Sequence, residues 1–358
     1  MSEYVFLANG TNCRLFDTSA DTFVETDSFT GGGTIGGAAF SPDRSTLYYF
    51  ENGDDKLFSR SFDNGTLGPE VEVFTATTNT GGGGDIVLSA DGSRILIFDG
   101  FNDDLELWDI ESATLVASTA TEYASATLNS DGSRIIALQR ADDDIYLFDD
   151  SFTQLDTLAG SFTRIRVLDD QFFVVANGSS SLQFYDYSGD TITLVDSASN
   201  NPSQPSSWAT NAGFGVGLVN GVWYCYANRG GIFSFDGATA AFVDGEDIGI
   251  TNGAMRSCAG LGDRAIAADT STTSDEFVLW GIENGTATEY DRLDAAGSDP
   301  SAAAFLPAQG PPTAQQVFDA AFADVAGREP LPTALQQRLP AKQLANYNVA
   351  HYTFSPRT

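Results

Sequence analysis

The sequence predicts an all-β fold built from repeated four-stranded units. The first observation is the unit at Ser89–Thr119, where a Ser-Ala-Asp-Gly-Ser turn, an apolar strand, an acidic turn and a second apolar strand follow one another. Asp and Gly tolerate the backbone angles of such turns. The second observation is recurrence, since Asp109, Asp149, Asp186 and Asp236, which end equivalent strands, are spaced by 40, 37 and 50 residues. Four strands in every 40 to 50 residues are typical of a β-propeller.

The third observation is that the two termini complete one another. Six copies of the unit begin at Phe40, Ser89, Asn129, Leu168, Val219 and Gly262. A seventh copy is split: Glu3–Ala8 and Cys13–Asp17 lack a first strand, which Ala302–Leu306 would supply. Open sheet edges invite mispairing, and a blade shared by both termini closes the ring. The sequence therefore predicts a seven-bladed propeller over residues 1–307, followed by a separate tail over residues 308–358.

The innermost strand of each predicted blade is rich in small residues. Examples are Gly36–Ala39, Ser125–Thr127, Gly215–Gly217 and Ala302–Ala304. Such strands crowd around the axis of a propeller, so small side chains suit them without any ligand. The glycine run at Gly81–Gly84 lacks a following Lys-Ser/Thr and a helix, so it is not a phosphate-binding loop.

Charge is the strongest compositional signal. The chain has 17 Lys and Arg against 49 Asp and Glu, for a net charge of −32. This acidity disfavours binding to nucleic acid and to anionic membranes. The first residues, MSEYVFLANG, show no secretory signal, and no apolar run approaches the roughly 20 residues of a membrane span. We therefore expect synthesis in the cytoplasm.

Acidic residues cluster where the second and third strands of several predicted blades meet. The clusters are Asp54 and Asp55, Asp103 and Asp104, Asp142, Asp143 and Asp144, and Asp275 and Glu276. In a propeller, these turns emerge on the same face as the loops that enter the innermost strands. Asp is also a good turn residue in its own right. Two interpretations stay open: simple turns, or a negative ring that captures a basic partner segment or a divalent cation, with calcium the cation suited to oxygen ligands.

Three of the four tryptophan residues fall into two groups. Trp108 and Trp280 occupy third-strand positions and are expected to pack between blades. Trp208 lies in the longest connection, Ala198–Ala212 (ASNNPSQPSSWATNA), which interrupts the repeat. Long loops on rigid scaffolds often carry function. Trp208 could stack on a sugar, anchor a protein partner or cover the ring.

Catalytic signatures are sparse. The one histidine, His351, lies in the tail, which removes a Ser-His-Asp arrangement or a multi-histidine metal centre from the ring. The three cysteines, Cys13, Cys225 and Cys258, have no CxxC spacing and are expected to be structural thiols. We predict no enzyme activity, no cofactor and no metal site.

The tail has its own character. Pro311 and Pro312 precede Ala314–Ala326, where Val317, Phe318, Phe322 and Val325 recur at helical spacing. A short amphipathic helix is marginal alone in water, so these four side chains need a partner. We predict that the tail anchors the protein to an assembly or clasps its own ring.

The repeats resemble a known class of proteins. The segments SPDRSTLYYF, SADGSRILIF and NSDGSRIIAL, paired with LELWDI and IYLFDD, are similar to those of WD-repeat and YVTN-type seven-bladed propellers. The style of the blades and the tail is also similar to accessory virion proteins of tailed phages. The resemblance implies a propeller but leaves function open, because propellers include docking platforms, lactonases, dehydrogenases and lectins.

The sequence therefore predicts a non-enzymatic docking propeller, a protein-interaction component of a large assembly such as a phage tail or capsid. Two alternatives remain: a glycan-binding propeller that uses Trp208, and a lactonase-like or calcium-dependent hydrolase.

Overall fold

The computed structural model describes residues 3–77, 84–99, 104–177, 181–199, 214–227, 230–245, 248, 250, 259–271, 274–295 and 300–307. The chain divides into two compact units, Met1–Ala308 and Gln309–Thr358. All described residues belong to the first unit. The predicted tail helix, with Val317, Phe318, Phe322 and Val325, lies outside them.

The described part of the first unit contains 28 strands, which pair as seven four-stranded antiparallel sheets. Blade 1 comprises β28 (Pro300–Phe305), β1 (Tyr4–Asn9), β2 (Asn12–Asp17) and β3 (Val24–Thr30). Blade 2 comprises β4 (Thr34–Phe40), β5 (Thr46–Asn52), β6 (Lys56–Asp63) and β7 (Thr66–Thr75). Blade 3 comprises β8 (Gly84–Leu88), β9 (Arg94–Asp99), β10 (Leu105–Asp109) and β11 (Thr114–Thr119). Blade 4 comprises β12 (Tyr123–Leu128), β13 (Arg134–Gln139), β14 (Ile145–Asp149) and β15 (Gln154–Leu158). Blade 5 comprises β16 (Phe162–Val167), β17 (Phe172–Asn177), β18 (Ser181–Asp186) and β19 (Thr193–Ser199). Blade 6 comprises β20 (Phe214–Val219), β21 (Val222–Ala227), β22 (Gly231–Phe235) and β23 (Ala240–Gly245). Blade 7 comprises β24 (Ala259–Leu261), β25 (Arg264–Ser271), β26 (Ser274–Glu283) and β27 (Thr286–Asp294).

This architecture confirms the predicted all-β, seven-bladed propeller. In the described ranges no helix is present, and accordingly none is long and apolar enough to cross a membrane. The split blade is also confirmed. β28 pairs antiparallel with β1, with Ala304 opposite Phe6 and Ala302 opposite Ala8. Strands from the two ends of this unit therefore share one sheet, which closes the ring as the sequence predicted.

Apolar side chains pack between blades rather than within one core. Among the described residues there are seven buried clusters, and each joins two neighbouring blades. At the joint of blades 1 and 2, for example, Phe6 and Leu15 pack with Leu47 and Tyr49. Each middle strand must bury both of its faces against different neighbours. This explains why sequences such as RILIF and RIIAL are apolar without strict alternation.

An aspartate in the outermost strand ties each of five joints together. Its carboxylate accepts a hydrogen bond from a backbone N–H in or beside the outermost strand of the next blade. The five pairs are Asp27 with Leu67 (2.7 Å), Asp156 with Ile192 (2.7 Å), Asp196 with Ala240 (2.8 Å), Asp244 with Ala287 (2.9 Å) and Asp291 with Phe23 (2.7 Å). The last pair links blade 7 to blade 1, so these bonds, which we call the aspartate ties, also act at the closing joint.

A β-bulge accompanies every aspartate tie. In each of these blades the aspartate pairs with the third-strand residue at which the register shifts. A bulge bends a strand locally and re-aims its side chains, here toward the next blade. The equivalent position is Ala117 in blade 3 and Phe74 in blade 2. Phe74 instead stacks on Trp108 of blade 3, with ring centroids 4.1 Å apart. An aromatic contact therefore takes the place of an aspartate tie at the joint of blades 2 and 3.

Trp108 and Trp280 are both buried and pack in joint clusters, as predicted. Cys13 and Cys225 are also buried in strands. Burial raises the pKa of the Cys13 thiol to about 12 and raises the pKa of Cys225 as well. Both therefore remain protonated and unreactive near neutral pH, as expected of structural thiols. Cys258 lies outside the described residues.

Candidate functional site: the two ends of the central channel

The turns between second and third strands lie beside the loops that enter the next blade. The Ala76 N–H donates to the Asp55 carbonyl at 2.7 Å, and the Phe162 N–H donates to the Asp143 carbonyl at 3.3 Å. The Gly31 N–H likewise donates to the Thr11 carbonyl at 2.8 Å. These bonds place the turns and the entering loops on one face of the ring. We call this face, with the acidic turns of blades 2, 3 and 4, the acidic turn face.

The carboxylates of this face differ in exposure. Asp54, Asp142 and Asp143 are exposed, while Asp55, Asp104 and Asp144 are partly buried. Asp55 and Asp143 have φ angles of 54° and 58°. Asp tolerates this left-handed conformation better than most residues, which partly explains its presence in these turns.

Asp142 and Asp144 are engaged in local structure. Asp142 accepts hydrogen bonds from the Asp144 N–H at 3.1 Å and from the Tyr146 hydroxyl at 3.0 Å. Asp144 accepts one from the Gly160 N–H at 2.9 Å and so holds the loop that enters β16. The turn role and an exposed negative charge therefore coexist in the same clusters.

Asp275 and Glu276 are not in a turn, and this part of the sequence interpretation was wrong. β25 ends at Ser271 and β26 begins at Ser274, so both residues belong to β26. In blade 7, the second and third strands stay paired over a longer stretch than in the other blades, as far as Ser271 opposite Ser274. Glu276 forms an ion pair with Arg292 at 2.6 Å. Its charge is therefore compensated within the blade.

Several predicted site residues cannot be placed. Asp103 and Trp208 lie outside the described residues, as does the side chain of Asp275. The proposed roles of Asp103 and Trp208 therefore remain predictions. Within the described ranges, no group of three or more His, Cys, Asp and Glu side chains is arranged to hold a metal ion.

Buried polar side chains fix the entering loops, and the sequence interpretation missed them. Glu51 is 2% exposed, and its Oε1 accepts the Gly32 N–H at 2.9 Å. Burial raises the pKa of Glu51. Glu106 is fully buried and accepts hydrogen bonds from the Thr77 N–H and hydroxyl and from the Trp108 indole N–H at 2.7 Å. Asn9 acts instead as a donor, and its side-chain N–H bonds to the carbonyl of Ala295 in the loop that enters β28.

A cavity of about 600 Å³ lies at the opposite end of the channel. Its walls come from the innermost strands β28, β4, β8, β12 and β16 and from the turns that follow β4, β8, β12 and β16. Small and apolar residues such as Ala38, Val87 and Ala303 dominate the walls. Of the described lining residues, Arg166 on β16 alone carries a positive charge. The sequence feature that could have identified Arg166 is the segment FTRIRV, which has arginines where other innermost strands have small residues.

Comparison with known proteins identifies the fold. No family model matches the chain, and no curated protein matches it. Among solved structures, a protein from Lactobacillus plantarum has a TM-score of 0.61 at 13% identity over 85% of this chain and 99% of its own. A Bacteroides fragilis protein described as a putative 6-phosphogluconolactonase also scores 0.61, at 12% identity over 85% of this chain and 98% of its own.

A third match is a chain in the structure of the mitotic checkpoint complex, with a TM-score of 0.54 at 14% identity over 75% of this chain and 81% of that one. At these identities, the likeness establishes the propeller class and nothing about activity.

Proposed function

We propose that this protein is a non-enzymatic docking propeller whose acidic turn face binds a basic segment of a protein partner. The observation that supports this most directly is the exposure of Asp54, Asp142 and Asp143 on one face, in turns that hydrogen bonds hold against the entering loops. Functional residues on loops held by a rigid scaffold are a common arrangement for binding.

The charge of the chain suits this role. At a net charge of −32, the protein attracts cationic segments over long distances and accelerates their encounter. Carboxylates that remain exposed are available to a partner at little desolvation cost. Binding through them should weaken as salt is added, because the Debye length falls to about 8 Å at physiological ionic strength.

Within this class, we propose that the partner belongs to a large assembly and that the tail, residues 308–358, is the anchor. A phage virion is the assembly favoured by the resemblance of the blades and tail at the level of sequence. The tail prediction rests on the helical spacing of Val317, Phe318, Phe322 and Val325. Glycan binding through Trp208 and lactonase-like hydrolysis remain alternatives with no further observation in their favour.

The acidic turn face is tested by removing charge from it without changing its shape. In Asp54→Asn with Asp143→Asn, two exposed carboxylates become amides, and Asn also tolerates the positive φ of position 143. We expect a fluorescent ten-residue lysine peptide to bind this double variant roughly fivefold more weakly at low salt, because exposed ion pairs contribute about 0.5 kcal/mol each. Fluorescence anisotropy measures the affinity.

The matched control removes two exposed charges from the other face. Glu111 and Asp150 lie in the turns after β10 and β14 and are exposed. Glu111→Gln with Asp150→Asn gives the same net charge as the first double variant. Equal loss of affinity in both variants would mean that the peptide responds only to total charge, and the proposed site would be abandoned.

A further inference from the structure

Arg166 differs from most other arginines of the described ring. Seven arginines form ion pairs, among them Arg94 with Asp109 at 2.8 Å and Arg134 with Asp190 at 2.6 Å. Arg166 is partly buried and forms no ion pair with any described residue. Its Nη1 donates to the Ile165 carbonyl at 3.0 Å, which uses one of its five N–H donors.

An arginine that has no ion pair among the described residues is unusual in a protein this acidic. Carboxylates greatly outnumber basic groups, so a nearby partner would be easy to supply. A partly buried cation that forms no direct ion pair is also costly, because the ion pair that would offset its desolvation is missing. Together these considerations indicate that the group at this position is kept available for a ligand.

The neighbouring Arg164 is used differently. Its Nη1 donates to the Ala124 carbonyl at 3.1 Å and to the Thr163 carbonyl at 2.9 Å, and it does not line the cavity. Ala124 belongs to the innermost strand of blade 4, so Arg164 joins two blades. The two arginines of β16 therefore separate into a structural one and one that lines the cavity.

The size and the walls of the cavity indicate what kind of ligand body would accompany the group bound by Arg166. Its volume of about 600 Å³ lies within the usual range of small-molecule sites. Its walls at Ala38, Val87 and Ala303 offer apolar contact. An amphiphile with one anionic group and a compact apolar body would match both features.

Two carboxylates at the cavity limit the charge that it accepts. Asp85 accepts the Ile86 N–H at 2.8 Å, and Asp169 accepts the Gln171 and Phe172 N–H groups at 2.8 Å each. Both line the cavity while they hold the backbone. They would repel a polyanion, whereas a single carboxylate can pair with Arg166 through two parallel hydrogen bonds.

We propose that this end of the channel binds a small organic monocarboxylate, with the carboxylate on Arg166 and the apolar body against the channel wall. The site lies at the opposite end of the channel from the acidic turn face. It would stand even if the docking proposal failed.

The test uses the full-length protein and calorimetric titration with benzoate, hexanoate and octanoate. Hexylamine and citrate serve as the cationic and polyanionic probes. We expect one or more of the monocarboxylates to bind at least about tenfold more tightly than either of these. Arg166→Gln should lose about tenfold or more in affinity for that monocarboxylate, and Arg166→Lys should lose less because it keeps the charge but not the paired donors.

Arg140→Gln is the control, since it removes one positive charge from an exposed pair with Glu122. It should bind as the unaltered protein does. Circular dichroism tests whether each variant is folded. If Arg166→Gln is not folded, the affinity of Arg166→Lys is compared with that of the unaltered protein instead. The proposal is overturned if no monocarboxylate binds the unaltered protein at millimolar concentration. It is also overturned if Arg166→Gln, or Arg166→Lys where the former does not fold, binds the best ligand as tightly as the unaltered protein does.

Discussion

Single aspartates perform two distinct tasks in this ring. In turns after the innermost strands, Asp43 and Asp131 accept hydrogen bonds from the backbone and hydroxyl groups of nearby serines. Serine hydroxyl bonds are the main reason that the pKa of each lies below its ordinary value. In the outermost strands, the aspartate ties bond to the backbone of another blade. The sequence shows both as Asp, and only the bulge and the neighbouring blade distinguish them.

The aspartate tie at Asp196 gives a prediction for one residue. Asp196→Ala should lower the free energy of unfolding by about 1 kcal/mol, because the Ala240 N–H loses its acceptor in a partly exposed position. Asp196→Asn should cost less, since the amide oxygen can still accept. Urea denaturation measures the difference, and the exposed Asp150→Ala should change stability by less than about 0.5 kcal/mol.

The effect of Asp196 should depend on pH. The Ala240 N–H, followed by the Ser197 N–H, lowers the pKa of this carboxyl in the folded state. A lowered folded pKa stabilises the ring above the unfolded pKa of about 3.9, and this contribution is lost as the pH falls through the folded value. The gap in stability between the unaltered protein and Asp196→Ala should therefore be constant near neutrality and shrink below about pH 4. A gap that is unchanged at pH 3 would contradict the assignment.

At the scale of the strand and its loop, buried polar groups shape the channel mouth. The strands carrying Asn9, Glu51 and Glu106 reach the same face as the entering loops, and each of these side chains bonds to a loop. The loops enter the innermost strands, so their positions set where those strands begin. A buried side chain that forms such a hydrogen bond, as donor or acceptor, thus helps to position the next strand.

Glu106 gives a prediction at this scale. Glu106→Gln keeps the side-chain shape but turns one acceptor oxygen into an NH₂ group, which would face donors from Thr77 or Trp108. Because the site is fully buried, we expect a loss of about 1–3 kcal/mol in the free energy of unfolding. Urea denaturation followed by tryptophan fluorescence tests this. The exposed Glu111→Gln is the control, and equal stability of the two variants would show that the buried bonds contribute little.

At the scale of the whole ring, closure depends on one short strand. β28 supplies the innermost strand of blade 1, and its Ala302 and Ala304 are buried in the joint with blade 2 together with Leu306, which follows the strand. It also contributes Phe305 to the joint with blade 7. Without it, blade 1 would have an open edge beside the channel, and two joints would lose packing.

Two truncated chains distinguish the role of β28 in closing the ring from the role of the tail. A chain that ends at Ala308 should keep a cooperative unfolding transition, while a chain that ends at Asp299 should aggregate or lose that transition, because the edge of β1 is exposed. Differential scanning calorimetry and light scattering compare both with the full chain. If only the full chain forms oligomers, the tail is an intermolecular anchor. Cooperative melting of the shorter truncation would refute the role of β28.

The sequence by itself determined the propeller, the seven blades and the blade shared between termini. It could do so because each blade repeats the same turns and apolar strands, and these local signals need no knowledge of neighbours. It also located the acidic turns of blades 2 and 4. It misplaced Asp275 and Glu276, since the register of one hairpin depends on how far its strands continue to pair.

Only the tertiary structure decided which polar residues act between blades. Glu106 lies inside an apolar strand, and Asp196 resembles many other acidic residues, so neither has a local signal. Their partners in other blades or loops, Thr77 and Ala240, are 29 and 44 residues away along the chain. The availability of Arg166 likewise depends on which carboxylates surround the channel. Hydrogen bonding, burial and charge compensation are properties of neighbours in space, and the ring brings those neighbours together only when it closes.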